Sequence, residues 1–151
     1  MRQHAMRRRA RSASTIYQCN VENQMDINVT RGEGKLQHVV EAGPHKLIAD
    51  APSQYGGDDA GFTPHDLLAA SLGACTALTL NMYAKRKEID LQKVDVKVEH
   101  ADKDGAYVFH RKLTFHGNLT DEQKTSLLGI ADKCPIHKIL SGEIKIVTEA
   151  V

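Results

Sequence analysis

Tryptophan is absent from the 151 residues, and aromatic side chains make up only 5%. A core built from this chain therefore depends on aliphatic and small residues. Cysteine is scarce as well, with three residues set far apart. Three scattered cysteines exclude a disulfide-stapled secreted scaffold and fit a cytosolic chain, in which a cysteine is structural, metal-binding or catalytic. There is no unbroken run of ~18 apolar residues, so the sequence predicts no membrane span. No apolar h-region follows the basic start, which excludes a secretory signal. Net charge is lacking too. Lys and Arg number 20 against 19 Asp and Glu, a formal +1. That balance gives no global electrostatic case for nucleic acid or a membrane surface as partner. The length suits one domain that can bury a real core.

Acid is missing from one place in particular. Residues 1–14 carry Arg2, Arg7, Arg8, Arg9 and Arg11 and no Asp or Glu. Such a stretch cannot pack a core and reads as a disordered basic tail. A transit peptide has the same Arg- and Ser-rich, acid-poor look. A solvated tail, or a chain that starts in effect at Met6 or later, is the preferred reading. The single domain is expected over residues 15–151.

What is present is strongly patterned. Residues 15–51 read as strands broken by turns. Asp26 to Val29 alternates, Gly32-Glu33-Gly34 is a turn, and residues 36–40 and 45–49 form two strands around Gly43-Pro44. A long helix is announced by Thr63 at the N-cap, Pro64 at the first helical position and Asp66 completing a capping box. It is expected to run to about Lys87. At ~100° per residue, Leu68, Leu72, Leu78, Thr79 and Met82 lie within about 60° of Cys75. Ala69, Ala70, Gly73, Ala74 and Ala77 admit close neighbours, so this helix is expected to be central and buried nearly all round. Val94, Val96 and Val98 share a strand face. Tyr107, Phe109, Leu113 and Phe115 share another, with Arg111 interrupting it, and Asp104-Gly105 marks the hairpin between the two strands. Thr120 and Gln123 form a second capping box, for a helix ending near Lys133. Pro135 opens a short helix with Cys134 at its cap, and residues 143–147 read as a closing strand. The order of elements predicts an α+β fold with antiparallel sheet.

Two of the cysteines sit in contrasting settings. Cys134, at a helix N-terminus, faces unpaired N–H groups that favour thiolate. Cys75 lies mid-helix among leucines and alanines, where burial raises a thiol's pKa. To act as a nucleophile it needs a cation brought from another segment. The remaining cysteine, Cys19, reads as a plain strand residue. Cys134 and His137 are spaced as one half of a zinc site, but no second ligand pair has metal spacing. A Cys–His hydrolase working through Cys134 stays open.

The two cysteine frames also carry a resemblance. The run Thr63-Pro64-His65-Asp66-Leu67-Leu68-Ala69-Ala70-Ser71-Leu72-Gly73-Ala74-Cys75-Thr76 resembles the OsmC/Ohr family. So does Leu127-Leu128-Gly129-Ile130-Ala131-Asp132-Lys133-Cys134-Pro135-Ile136-His137. The likeness extends over roughly residues 27–147 and is nearer to the broad OsmC-like branch than to Ohr proper. It implies an intertwined α+β homodimer with a long central helix and active sites at the subunit interface. It implies thiol peroxidases that reduce organic hydroperoxides and hydrogen peroxide. On the family pattern Cys75 attacks the peroxide and Cys134 resolves the sulfenic acid, which reverses the ranking by local electrostatics.

The cation it implies is an Arg from the N-terminal strand region, matched here by Arg31. The family's acidic partner of that Arg falls at His65, with Asp66 beside it and Asp58 or Asp59 as substitutes from the preceding loop. Leu68, Leu72, Leu78 and Met82 are the expected substrate walls. No metal, haem or flavin is expected, only an external dithiol reductant of lipoyl or thioredoxin type. The expected setting is cytoplasmic. Two other classes stay open: a small-molecule or lipid-binding module on the same fold without turnover, and the hydrolase through Cys134.

Overall fold

The computed structural model describes residues 26–150. The expectations for the basic tail at 1–14 and for Cys19 lie outside the described residues. Three strands come first: β1 (Ile27–Arg31), β2 (His38–Ala42) and β3 (His45–Ala49) form an antiparallel meander in the order β1-β2-β3. Val29 faces Val40 and Arg31 faces His38 across the first pair. Gly43, at φ 56°, turns β2 into β3, a conformation that costs glycine little.

After β3 the chain enters a loop organised by a buried carboxylate. Asp50 is 4% exposed. It accepts hydrogen bonds from the backbone N–H of Ala51 (2.8 Å), Asp58 (3.1 Å) and Ala60 (3.0 Å). Those bonds hold its pKa below the ordinary carboxylate value, the Ala60 N–H contributing most. Gly57 packs on the same loop so tightly that an added Cβ would lie 1.9 Å from the Ala51 carbonyl oxygen. The loop delivers the chain to α1 (Pro64–Arg86).

Thr63 caps α1 as the sequence indicates. Its hydroxyl oxygen accepts from the Asp66 N–H, and the Asp66 carboxylate accepts from the Thr63 N–H. Next come β4 (Lys93–Lys103) and β5 (Ala106–His116), paired antiparallel around Asp104-Gly105, both at positive φ as a two-residue hairpin turn requires. α2 (Asp121–Ala131) carries the second capping box, and α3 (Pro135–Leu140) follows Cys134.

α1 packs along β4 and against α2 and α3. Gly73 marks its closest approach to the sheet, where an added Cβ would touch Val98 at 3.4 Å. The core gathers Leu80, Ala84, Leu127 and Ala131, flanked by Val94, Leu113, Phe115 and Ile130.

Three expectations change. Residues 143–147 form no strand: they run irregular and exposed, pairing with neither sheet, and Ile144 and Ile146, 55% and 86% exposed, have no apolar surface to pack on among the described residues. α1 is not buried all round, since Leu68, Leu78 and Met82 are 46%, 57% and 39% exposed. And although no unbroken apolar run is long enough, α1 contains an 18-residue stretch with a mean hydropathy of 1.4, long and apolar enough by length and composition alone to cross a membrane. Its packing here is that of a core helix, with Leu72, Thr76, Thr79, Leu80 and Ala84 turned inward.

Candidate functional site

The site is built where α1 passes the corner between α2 and α3. Cys75 projects from the middle of α1, and Cys134 stands at the N-cap of α3. Both are free thiols, Cys75 partly buried and Cys134 fully so. The Cys134 thiol lies near enough to influence the Cys75 sulfur. The backbone N–H of Ile136 and the hydroxyl of Thr79 also reach the Cys75 sulfur.

These neighbours pull in opposite directions. Burial pushes the Cys75 pKa up, and the adjacent Cys134 thiol pushes it further. The Ile136 N–H and the Thr79 hydroxyl favour thiolate but do not reverse the sign. No cation is among these influences. The expectation that burial raises the Cys75 pKa agrees with its surroundings. Cys134 departs from expectation in one respect: its side chain makes no capping hydrogen bond to α3.

Arg31 is exposed at the end of β1, and its guanidinium donates to the Lys35 carbonyl within its own turn. Neither proposed partner meets it. Asp66 accepts from the Thr63 hydroxyl at 2.6 Å and bonds His100 Nε2 at 3.1 Å, which together hold its carboxyl below the usual range. His65 stacks on Tyr107 with ring centroids 5.5 Å apart. Asp58 pairs with Lys35 at 3.1 Å instead. Within one chain, then, Cys75 and Cys134 are brought together and Arg31, His65 and Asp66 are not. Of the expected walls, Leu72 lines a cleft of about 480 Å³ together with Tyr107, Phe109, Arg111, His137 and Leu140. Leu68, Leu78 and Met82 open to solvent.

Two features escaped the sequence reading. One is the chain Asp66–His100–Tyr107, in which His100 Nδ1 meets the Tyr107 hydroxyl at 2.7 Å. The residues come from three elements, and no local motif joins them. The other is the set of partners around Arg111. The interruption of an apolar strand face was visible, but not what it bonds. Among the described residues, no group of three or more His, Cys, Asp or Glu could hold a metal ion.

Comparison with known proteins agrees with this architecture. Residues 56–149 match the family model for OsmC-like protein. A protein from Psychrobacter arcticus, described as an osmotic stress induced and detoxification response protein, superposes with a TM-score of 0.67 at 25% identity, over 78% of this chain and 89% of that one. An organic hydroperoxide resistance protein from Vibrio cholerae, with captopril bound in one active site, gives 0.57 at 25% identity over 89% and 91%. OhrB of Bacillus subtilis, also an organic hydroperoxide resistance protein, gives 0.57 at 22% identity over 81% and 93%. No curated protein matches the chain. The match to the family model spans both cysteine frames, and the solved relatives share the arrangement of long helix and antiparallel sheets: the chain belongs to the OsmC-like protein family.

Proposed function

We propose that the protein is a cysteine-based peroxidase that reduces organic hydroperoxides, and hydrogen peroxide more slowly. The observation that carries this reading is the proximity of the Cys75 and Cys134 thiols, supplied by separate elements and both free. The Cys75 thiolate attacks the outer peroxide oxygen, the O–O bond breaks, and the alcohol leaves with a proton. Cys75 is then a sulfenic acid. Cys134 attacks its sulfur, water departs, and a disulfide remains. An external dithiol takes the disulfide back to two thiols. Sulfur carries the electrons throughout, so the cycle calls for no metal, haem or flavin.

The step that needs help is thiolate formation, because burial works against it. A guanidinium stays charged at any working pH and reverses the sign. The protein acts as a homodimer with its sites at the interface, and there Arg31 of the partner subunit is the cation that meets Cys75. Its exposure at the end of β1 supports this. The expected setting is cytoplasmic, where a dithiol reductant is at hand.

Consumption of cumene hydroperoxide with a dithiol reductant tests the proposal. Turnover should vanish in Cys75→Ser, while Cys134→Ser should permit one turnover and leave a sulfenic acid on Cys75 that over-oxidises. Sulfenic acid trapped on Cys134 and absent from Cys75 would sink the assignment. A second reading, a binding module on the same fold without turnover, is favoured by the raised Cys75 pKa. It predicts no steady peroxide consumption by the wild type. A hydrolase through Cys134 is disfavoured by that thiol's complete burial beside Cys75. It would require ester turnover lost in Cys134→Ser and kept in Cys75→Ser.

A further inference from the structure

Arg111 is an oddity of β5. Successive half-buried positions of that strand are Phe109, Arg111, Leu113 and Phe115, and the Arg111 side chain in this row is only 11% exposed. A charge so placed must be paired. Its Nη1 donates to Thr76 Oγ1 at 2.8 Å and to the Ala131 carbonyl at 3.1 Å, and its Nη2 donates to Asp132 Oδ1 at 2.9 Å. The acceptors belong to two different elements. Thr76 is the residue after Cys75 on α1. Ala131 ends α2, where the last carbonyls lack helical partners and a cation is favoured by the helix dipole.

The connections go one step further. The Ala131 carbonyl that accepts from Arg111 also accepts from the Cys134 backbone N–H at 3.3 Å. Thr76, fully buried, donates its own hydroxyl hydrogen to the Leu72 carbonyl at 2.7 Å and so presents only a lone pair to Arg111. One planar fork thus holds the residue beside one cysteine and the carbonyl that seats the other.

We propose that Arg111 is a positioning residue for the Cys75–Cys134 disulfide, tying the α1 turn that carries one sulfur to the α2–α3 corner that carries the other. Disulfide geometry tolerates little variation in Cα separation and dihedral angle, so a corner that drifts relative to α1 loses the bond before it loses the fold. Lysine cannot replace the fork, since its single ammonium does not span acceptors on two elements. The inference rests on the peroxidase reading only for its use of that disulfide.

A thiol–disulfide equilibrium tests it without peroxide. The full-length protein carrying Cys19→Ser is equilibrated with oxidised and reduced dithiothreitol. Oxidised dithiothreitol accepts two electrons and two protons from the Cys75 and Cys134 thiols, their S–S bond forms, and the dithiol is released. Arg111→Met should lower the equilibrium constant for disulfide formation at least ~10-fold, about 30 mV in potential. Arg111→Lys should fall between Met and wild type, and Thr76→Val should shift it in the same direction by roughly 3-fold as one of three bonds is lost. A merely structural role would lower the melting temperature and leave the constant unmoved. Wild-type constants in a folded Arg111→Met overturn the proposal. If that variant does not fold, a wild-type constant in Thr76→Val does so. A shifted constant together with a wild type inert to peroxide would retain the positioning role and reject the peroxidase. Normal peroxidase turnover with unshifted constants would do the reverse.

Discussion

Cys75 holds a thiol whose surroundings in one chain favour the protonated form, through burial first and the neighbouring Cys134 second. The folded pKa lies above the ordinary value, so below it the thiolate fraction falls about tenfold per pH unit. A peroxidase running on such a thiol without a cation would speed up steadily with rising pH. With Arg31 supplied across a dimer interface, the rate should instead level off near neutrality. Arg31→Ala should therefore convert a plateau into a climb and slow the second-order reaction at pH 7 by ~100-fold, two pKa units' worth of thiolate. Stopped-flow rates and thiolate absorbance at 240 nm, in a background of Cys19→Ser and Cys134→Ser, measure both. An unchanged titration would remove Arg31 from the site.

Asp50 behaves in the opposite sense. Its folded pKa is depressed, chiefly by the Ala60 N–H. The stability it contributes is present above the unfolded value of ~3.9 and is lost as pH falls through the folded one. Asp50→Asn should lower the melting temperature at pH 7 and flatten its decline below pH 4, as read by calorimetry across pH. Equal melting temperatures at pH 7 would mean that the three backbone donors find other partners.

At the scale of elements, α1 carries Cys75, the proposed attacker, and is fixed at its start by the Thr63–Asp66 box. Thr63→Ala should cost about 1 kcal/mol in denaturant unfolding, and Thr63→Ser should recover most of it. No loss in Thr63→Ala would mean that packing along β4 alone sets the helix start. Elements of this kind were legible in the sequence because their signals are local: two capping boxes, a proline at the first helical position, an Asp-Gly turn between alternating strands. The proximity of Cys75 and Cys134 was legible only through the family resemblance, since nothing local joins mid-α1 to the cap of α3. The partners of Arg111 depend on how β5 packs against two helices, and that register is not written in any short stretch. The strand expected at residues 143–147 shows the same limit from the other side. Ile144 and Ile146 alternate in the sequence, but at 55% and 86% exposure they find no apolar surface to pack on among the described residues, and alternation alone does not make a strand.

At the scale of the whole molecule, large apolar side chains are exposed on several elements. Ile27 and Val29 stand out on β1, Leu68, Leu78 and Met82 on α1, and Ile144, Ile146 and Val147 near the C-terminus. Exposed apolar side chains that share a patch mark an interaction surface. It fits the interface of an obligate homodimer, which light scattering at micromolar concentration should report as twice the chain mass. Removing residues 1–14 should leave the protein dimeric and its melting temperature unchanged. A monomer mass would contradict the dimer and leave Arg31 no route to Cys75. The same surface bears on substrate choice. If the site opens onto the α1 leucines, an apolar hydroperoxide gains roughly 25 cal/mol per Å² buried, and kcat/KM should be higher for cumene hydroperoxide than for hydrogen peroxide.

The central claim is that Cys75 and Cys134 form one redox pair, and the most direct measurement is disulfide mapping by mass spectrometry. Reduced wild-type protein is treated with one equivalent of cumene hydroperoxide, quenched and digested without reductant. The account predicts a peptide pair joined through Cys75 and Cys134, absent before treatment and abolished by either serine substitution. Oxidised protein in which both thiols remain free, or in which either is joined instead to Cys19, would contradict it.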